Sequence, residues 1–218
     1  MSLRKSDCRR CGGRSADEGR GVIDIVTVAI VWTYVLGFLL LTVAVARRTE
    51  ASIWLFSKGS GRQTFPATLF RIAFTVGAAL PLLTMLTELV GNAPWYLARA
   101  DVGQAGRLFG LAAMAAGTSL ALYAQNYMGQ SWRIGAAEGQ LGAIVDSGPF
   151  SYSRNPVFVG QVVLFAGLAL VFPTLAQVFI AIAVLVAAIL QVRIEERVLE
   201  RDLGAPYLEY RRRVRRWF

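Results

Sequence analysis

The sequence predicts an all-α integral membrane protein of about five transmembrane helices followed by a helical C-terminal extension. Three observations carry this. Of the 218 residues, 55% are hydrophobic. They gather into runs of the length needed to cross a bilayer, since about 20 helical residues cover roughly 30 Å of hydrocarbon. Short polar stretches that hold most of the charges separate the runs.

Taken in order, the chain opens with a polar arm, residues 1–21, rich in Arg and Gly and expected to be disordered. It is too long and too charged to resemble a cleaved signal peptide. It contains Cys8 and Cys11 in "DCRRCGGRS", a lone CxxC. A zinc site needs two further ligands, and the chain has no histidine and no other cysteine to supply them. The pair reads as two incidental thiols, with no metal site.

The spans follow at 22–46, 65–90, 106–128, 157–172 and 174–192. The first three make one unit, 22–128, and residues 129–218 make a second that contains a loop, a helical pair and the C-terminal segment. The fourth span covers only about 24 Å at 1.5 Å per residue, so its polar start is expected below the membrane surface, in a protein-lined cavity. At "VFPTLA" Pro173 leaves almost no loop, and the fourth and fifth spans should form a tight antiparallel hairpin. Arg71, Glu88 and Asp24 lie near predicted span ends and are expected to reach water or headgroups.

With five spans, the loops after the first and third share a face with the C-terminus. That face carries 14 cations against eight on the other, Arg71 aside. The positive-inside tendency places it in the cytoplasm. The formal net charge is +9, and eight of the 23 Lys and Arg residues follow Gln191. A basic end beside a membrane segment is an orientation and lipid-surface signal, and no nucleic-acid-binding pattern accompanies it. "RRRVRRWF" reads as an anchor for anionic lipid.

Three polar clusters converge on this face: "NYMGQSWRIG", "SGPFSYSRNPVFVG" and the stretch from Arg193 to the end. Charged groups near hydrocarbon are costly and usually line a cavity. In the second cluster, Asn155 is a favoured N-cap residue and Pro156 fits the first helical position, where a missing N–H loses nothing. The stretch is complete as a plain helix start with an interfacial Arg154. It is equally an anion site, because the free N–H groups and the helix dipole point the same way. Glu195 and Glu196 point about 100° apart on a helix, so at least one should face the bundle. Gly204 is the expected helix stop, followed by Tyr207 and Tyr210. Trp132 is either a cover for a pocket or an interfacial anchor.

In order and spacing, "SGPFSYSRNPVFVG" and "EERVLERDLGAPYLEYRRRV" resemble the "SGPYxxxRHPxYxG" and "EExxLxxxFGxxYxxYxxRV" blocks of the isoprenylcysteine carboxyl methyltransferase family, which is related to the phospholipid methyltransferases. The resemblance covers residues 126–214. It implies a membrane methyltransferase core over 129–218, with the C-terminal extension closing a cytosolic-side pocket for S-adenosyl-L-methionine (SAM) and a lipophilic or prenylated acceptor arriving from the bilayer. It further implies that Arg154, Asn155, Pro156 and the start of the fourth helix meet the cofactor carboxylate. Glu195 or Glu196 would take its ammonium or ribose hydroxyls, and Phe150, Phe158, Tyr207 and Tyr210 would flank the adenine or close the pocket. No G-x-G-x-x-G turn is present to do this in the soluble manner.

The chain departs from the family pattern at Asn155, where the family has histidine, and at Phe150 and Phe158, where it has tyrosine. An amide hydrogen-bonds but does not shuttle protons, so these changes bear on the acceptor more than on the cofactor. A carboxylate acceptor is already anionic at neutral pH and needs orientation only. Arg193, just before the glutamates, is the candidate catalytic residue for aligning it, and is equally a snorkelling surface cation. A non-catalytic protein that retains the pocket and an NADPH-dependent membrane reductase are the alternative functions.

Overall fold

The computed structural model describes residues 7–48, 61–129 and 144–217, with side chains over 19–47, 65–129 and 144–217. Among the described residues there are six α-helices: α1 (Asp7–Arg48), α2 (Gly61–Leu89), α3 (Gly103–Met128), α4 (Pro156–Val171), α5 (Leu175–Leu203) and α6 (Ala205–Arg213). Four of them, α1, α2, α3 and α5, are long and apolar enough to cross a membrane, and α4 is a shorter apolar helix. Isolated by length, α4 is the most enclosed of the five. Nine of its 16 residues are buried, against nine of 29 in α5. A helix that is apolar all round belongs inside protein.

The enclosure rests on glycine. A Cβ on Gly117 would stand 2.5 Å from the Gly160 carbonyl oxygen, and one on Gly167 would stand 2.6 Å from that of Gly110. Two glycine pairs, spaced seven residues apart on each helix, therefore bring the α3 and α4 backbones together, as small residues do between membrane helices. On the other side of α4, Phe165 meets Phe74 of α2 edge-on at 4.8 Å. Tyr34, Met114, Leu164, Leu168 and Val184 complete a core drawn from α1, α3, α4 and α5.

The expected hairpin is present, with Phe172, Pro173 and Thr174 joining α4 to α5. Thr174 caps α5 by accepting from the Gln177 N–H at 3.1 Å. Across this turn lies the α2–α3 connection: the Ala100 N–H donates to the Pro173 carbonyl at 2.9 Å. Beside it, Arg99 Nη1 donates to both Asp24 oxygens at 2.8 Å and Nη2 donates to Glu88 at 2.7 Å, while the guanidinium covers the Phe172 ring at 4.1 Å. This corrects the expectation that Asp24 reaches out to water or headgroups, while Glu88 remains exposed as expected. Asp24 is 5% exposed, because the folded-back connection brings a cation to it. Gly204, at φ +59°, ends α5 as expected and turns the chain into α6.

Candidate functional site

At the end of the bundle where α3 and α5 finish and α4 begins, the chain makes a 3-10 turn over Gly148–Ser151 before entering α4. Gly148 is required there. Its φ is +57°, and a Cβ would stand 2.5 Å from the Tyr127 ring. Tyr127 and Ser147 join hydroxyls at 3.0 Å. Tyr210 of α6 donates to the Phe150 carbonyl at 2.8 Å.

Arg154 then acts as a buried clasp. Its Nε and Nη2 donate to Glu196 Oε1 at 3.1 and 2.8 Å, and its Nη1 donates to the carbonyls of Arg211 and Val214 at 3.0 and 2.7 Å. Four of the five N–H groups of the guanidinium are thus used on α5 and the C-terminal segment. The other Glu196 oxygen accepts from Arg216 Nε and Nη2 at 2.9 and 2.7 Å, bonds that hold the Arg216 guanidinium above its ordinary pKa. The clasp is closed by the Arg154 N–H on the Arg215 carbonyl at 2.9 Å.

Asn155 occupies the N-cap position and Pro156 the first helical position, yet the Asn155 side chain makes no cap bond. Its Nδ2 donates instead to the Arg216 carbonyl at 3.0 Å. The expected side-chain cap is thereby corrected: the amide donates to the packed tail, and Asn155 serves the first turn of α4 only through its backbone carbonyl, which accepts from the Val159 N–H at 3.1 Å.

Inward of this clasp lies a cavity of about 440 Å³, within the range of small-molecule sites. Val35, Phe38 and Leu39 of α1 and Phe70 and Phe74 of α2 give it an apolar wall, and Arg71, Gln161, Gln191 and Glu195 give it a polar one. Of the residues expected from the sequence, Phe150, Arg154, Asn155, Pro156, Phe158 and Glu195 line it. Glu196 is taken up in the clasp. Tyr207 and Tyr210 pack with Val214, Leu199 and Leu203 behind it, and burial, followed by the nearby Glu196 charge, pushes the Tyr207 hydroxyl up to about 12. Arg193 is exposed and outside the cavity wall. Trp132 lies outside the described residues, as do the side chains of Cys8 and Cys11.

Five polar lining residues were not singled out as site residues from the sequence: Tyr34, Arg71, Thr75, Gln161 and Gln191. The signal was present, because polar groups inside apolar runs usually face a bundle interior. Gln161 Nε2 donates to the Tyr34 hydroxyl at 2.6 Å, and Gln191 Nε2 donates to Glu195 Oε1 at 2.8 Å.

Comparison with curated proteins finds no match to the chain. Among family models, residues 105–205 match that of the phospholipid methyltransferases, the family related to the isoprenylcysteine carboxyl methyltransferases that the motifs resemble. The matched stretch runs from α3 through the Arg154 clasp and the whole of α4 and α5, so it contains most of the polar side of the cavity. Together with four helices able to cross a bilayer, the match to the phospholipid methyltransferase family supports an integral membrane methyltransferase.

Proposed function

We propose that this protein transfers a methyl group from SAM to a lipophilic acceptor, foremost a carboxylate such as that of an isoprenylcysteine-like molecule. The observation that carries the reading is the cavity itself, lined by apolar side chains of α1 and α2 and by a polar set that is mostly from the start of α4 and from α5, inside a chain matched to a methyltransferase family. The fit to the cofactor rests on this chain's groups. Buried acceptors without partners among the described residues, the Oε1 atoms of Gln161 and Gln191, suit a ligand rich in N–H and O–H donors. The uncapped first turn of α4 suits its carboxylate.

When bound, SAM supplies a methyl carbon made electrophilic by a sulfonium. The residues here have four tasks. Val157 and Phe158, in the first turn of α4, present backbone N–H groups to the carboxylate end. Glu195 takes donors of the ammonium or ribose. Phe150 and Phe158 exclude water beside the adenine. The walls of α1 and α2 hold the lipid chain so that the acceptor oxygen meets the methyl in line. Transfer to a carboxylate held there would form an oxygen–carbon bond as the carbon–sulfur bond breaks, giving a methyl ester and a neutral thioether. A carboxylate needs no proton removed, which suits a chain without histidine. The aligning role first given to Arg193 falls to Arg71, the cation on the α2 wall.

The test is transfer of labelled methyl from SAM by the purified protein into extracted membrane lipids and prenylcysteine analogues. Lipid-soluble label released by mild base, as a methyl ester requires, is the expected result. Absence of transfer, together with absence of binding to SAM or to its demethylated product, would overturn the proposal.

A further inference from the structure

Gln161 and Gln191 sit deep in the molecule, 4% and 5% exposed, and both line the cavity. Each uses its amide nitrogen within the protein, on Tyr34 and on Glu195 respectively. Each leaves its carbonyl oxygen with no hydrogen-bond partner among the described residues. Unpaired buried acceptors are uncommon, because each forfeits the full cost of leaving water. For Gln191 the N–H end donates to Glu195 Oε1 at 2.8 Å, which leaves the carbonyl end to the cavity.

The two residues also lie at similar depths along their helices. The ion pair between Arg154 and Glu196 fixes the start of α4 beside Glu196 of α5. Gln161 is five residues into α4 from Pro156, and Gln191 is five residues back along antiparallel α5 from Glu196. Both distances are about 8 Å at 1.5 Å per residue. Glu195, one turn nearer the mouth, has a second oxygen, Oε2, that makes no hydrogen bond among the described residues. The lining therefore offers two carbonyl dipoles and a carboxylate oxygen, all acceptors, together with the cations Arg71 of α2 and Arg154, the latter committed to Glu196.

Resting on the proposed methyltransferase reading, we infer that Gln161 and Gln191, with Glu195, form a receptor for an ammonium group bearing N–H donors. Two ligands carry that chemistry in such an enzyme: the amino-acid end of the cofactor and the amine headgroup of a lipid. Leucine at either glutamine keeps the volume and removes the carbonyl, and it also removes the N–H donated to the Tyr34 hydroxyl or to Glu195 Oε1, which is why the affinity for the deaminated analogue is the control.

The experiment uses calorimetry on the full chain in micelles, with S-adenosylhomocysteine and its analogue lacking the amino group as probes. The wild-type protein should bind the amine-bearing form at least tenfold more tightly, the effect of a hydrogen bond to a charged group. Gln191→Leu and Gln161→Leu should erase that preference while leaving the affinity for the deaminated analogue within twofold. If the ammonium belongs to the acceptor, the same variants leave both affinities unchanged. In that case they raise KM tenfold for a lipid with a primary amine headgroup, and leave KM unchanged for a prenylcysteine carboxylate. Either pattern supports the receptor. Tight binding of S-adenosylhomocysteine with no preference for the amine, and no change of KM in either variant, overturns it and leaves the methyltransferase reading standing. Failure of the wild-type protein to bind either probe overturns both. Because the analogue comparison is made first on the wild-type protein, a variant that fails to fold does not shield the inference.

Discussion

Replacing Glu196 by glutamine should detach the C-terminal segment from the rest of the protein. Glu196 stands between two guanidinium groups, one oxygen to each, and the two pairs differ in burial. The Arg154 and Glu196 side chains are 8% and 7% exposed, whereas Arg216 is 37% exposed. Removing one partner of a buried pair leaves the other charge in low dielectric, at a cost of about 3–5 kcal/mol. Losing a pair open to water costs about 1 kcal/mol or less. Glu196→Gln strands Arg154 and should cost the larger amount, while Arg216→Ala should cost the smaller. The assay is thermal melting in micelles alongside hydrogen exchange of the α6 amides. In Glu196→Gln, exchange should rise in α6 and at the Gly148–Ser151 turn, because Arg154 also holds the carbonyls of Arg211 and Val214. Equal destabilisation by the two substitutions, or unchanged exchange in α6, would refute the clasp.

Three further outcomes follow from the same packing. Gly117→Val and Gly160→Val should each lower stability by about 1–3 kcal/mol through overpacking, read as a fall in melting temperature, since a Cβ at either meets opposing backbone at 2.5 Å. Arg99→Gln should cost about 3–5 kcal/mol by leaving Asp24 buried and unpaired, and Arg99→Gln combined with Asp24→Asn should recover part of that loss in the same melt. Gly148→Ala should destabilise more than Gly204→Ala. Both positions carry positive φ, costing about 1–2 kcal/mol for a Cβ, but only the first also strikes a neighbour, Tyr127; equal melting temperatures for the two would contradict this.

What was legible in the sequence is what depends on neighbours along the chain. The apolar runs gave the helices, Pro156 marked the start of α4, "VFPTLA" the hairpin and Gly204 the stop of α5. The Glu195–Glu196 pair was legible halfway. Adjacency on a helix forces the two to diverge, but which one meets the cavity depends on how α5 is rotated, and that is set by Arg154, 42 residues away. The cap at Asn155 failed for the same reason, because a carbonyl 61 residues downstream takes its side chain. Asp24 found a partner 75 residues off, and Gln161 one 127 residues off. Polar residues within apolar runs identified the positions that need partners without identifying the partners.

The short fourth helix connects these facts. At 16 residues, about 24 Å, it does not match the thickness of the hydrocarbon, so its polar start must sit in protein. The Arg154 clasp satisfies that requirement from the tail side, and the glycine pairs with α3 satisfy it laterally, by letting backbone replace lipid along one face. With α4 drawn against α3 and tied to Glu196, its first turn and Gln161 are left facing α1 and α2 across the cavity. The same shortness that makes α4 a poor membrane span thus places a helix N-terminus, and the polar wall beneath it, where a charged cofactor and a lipid chain can meet.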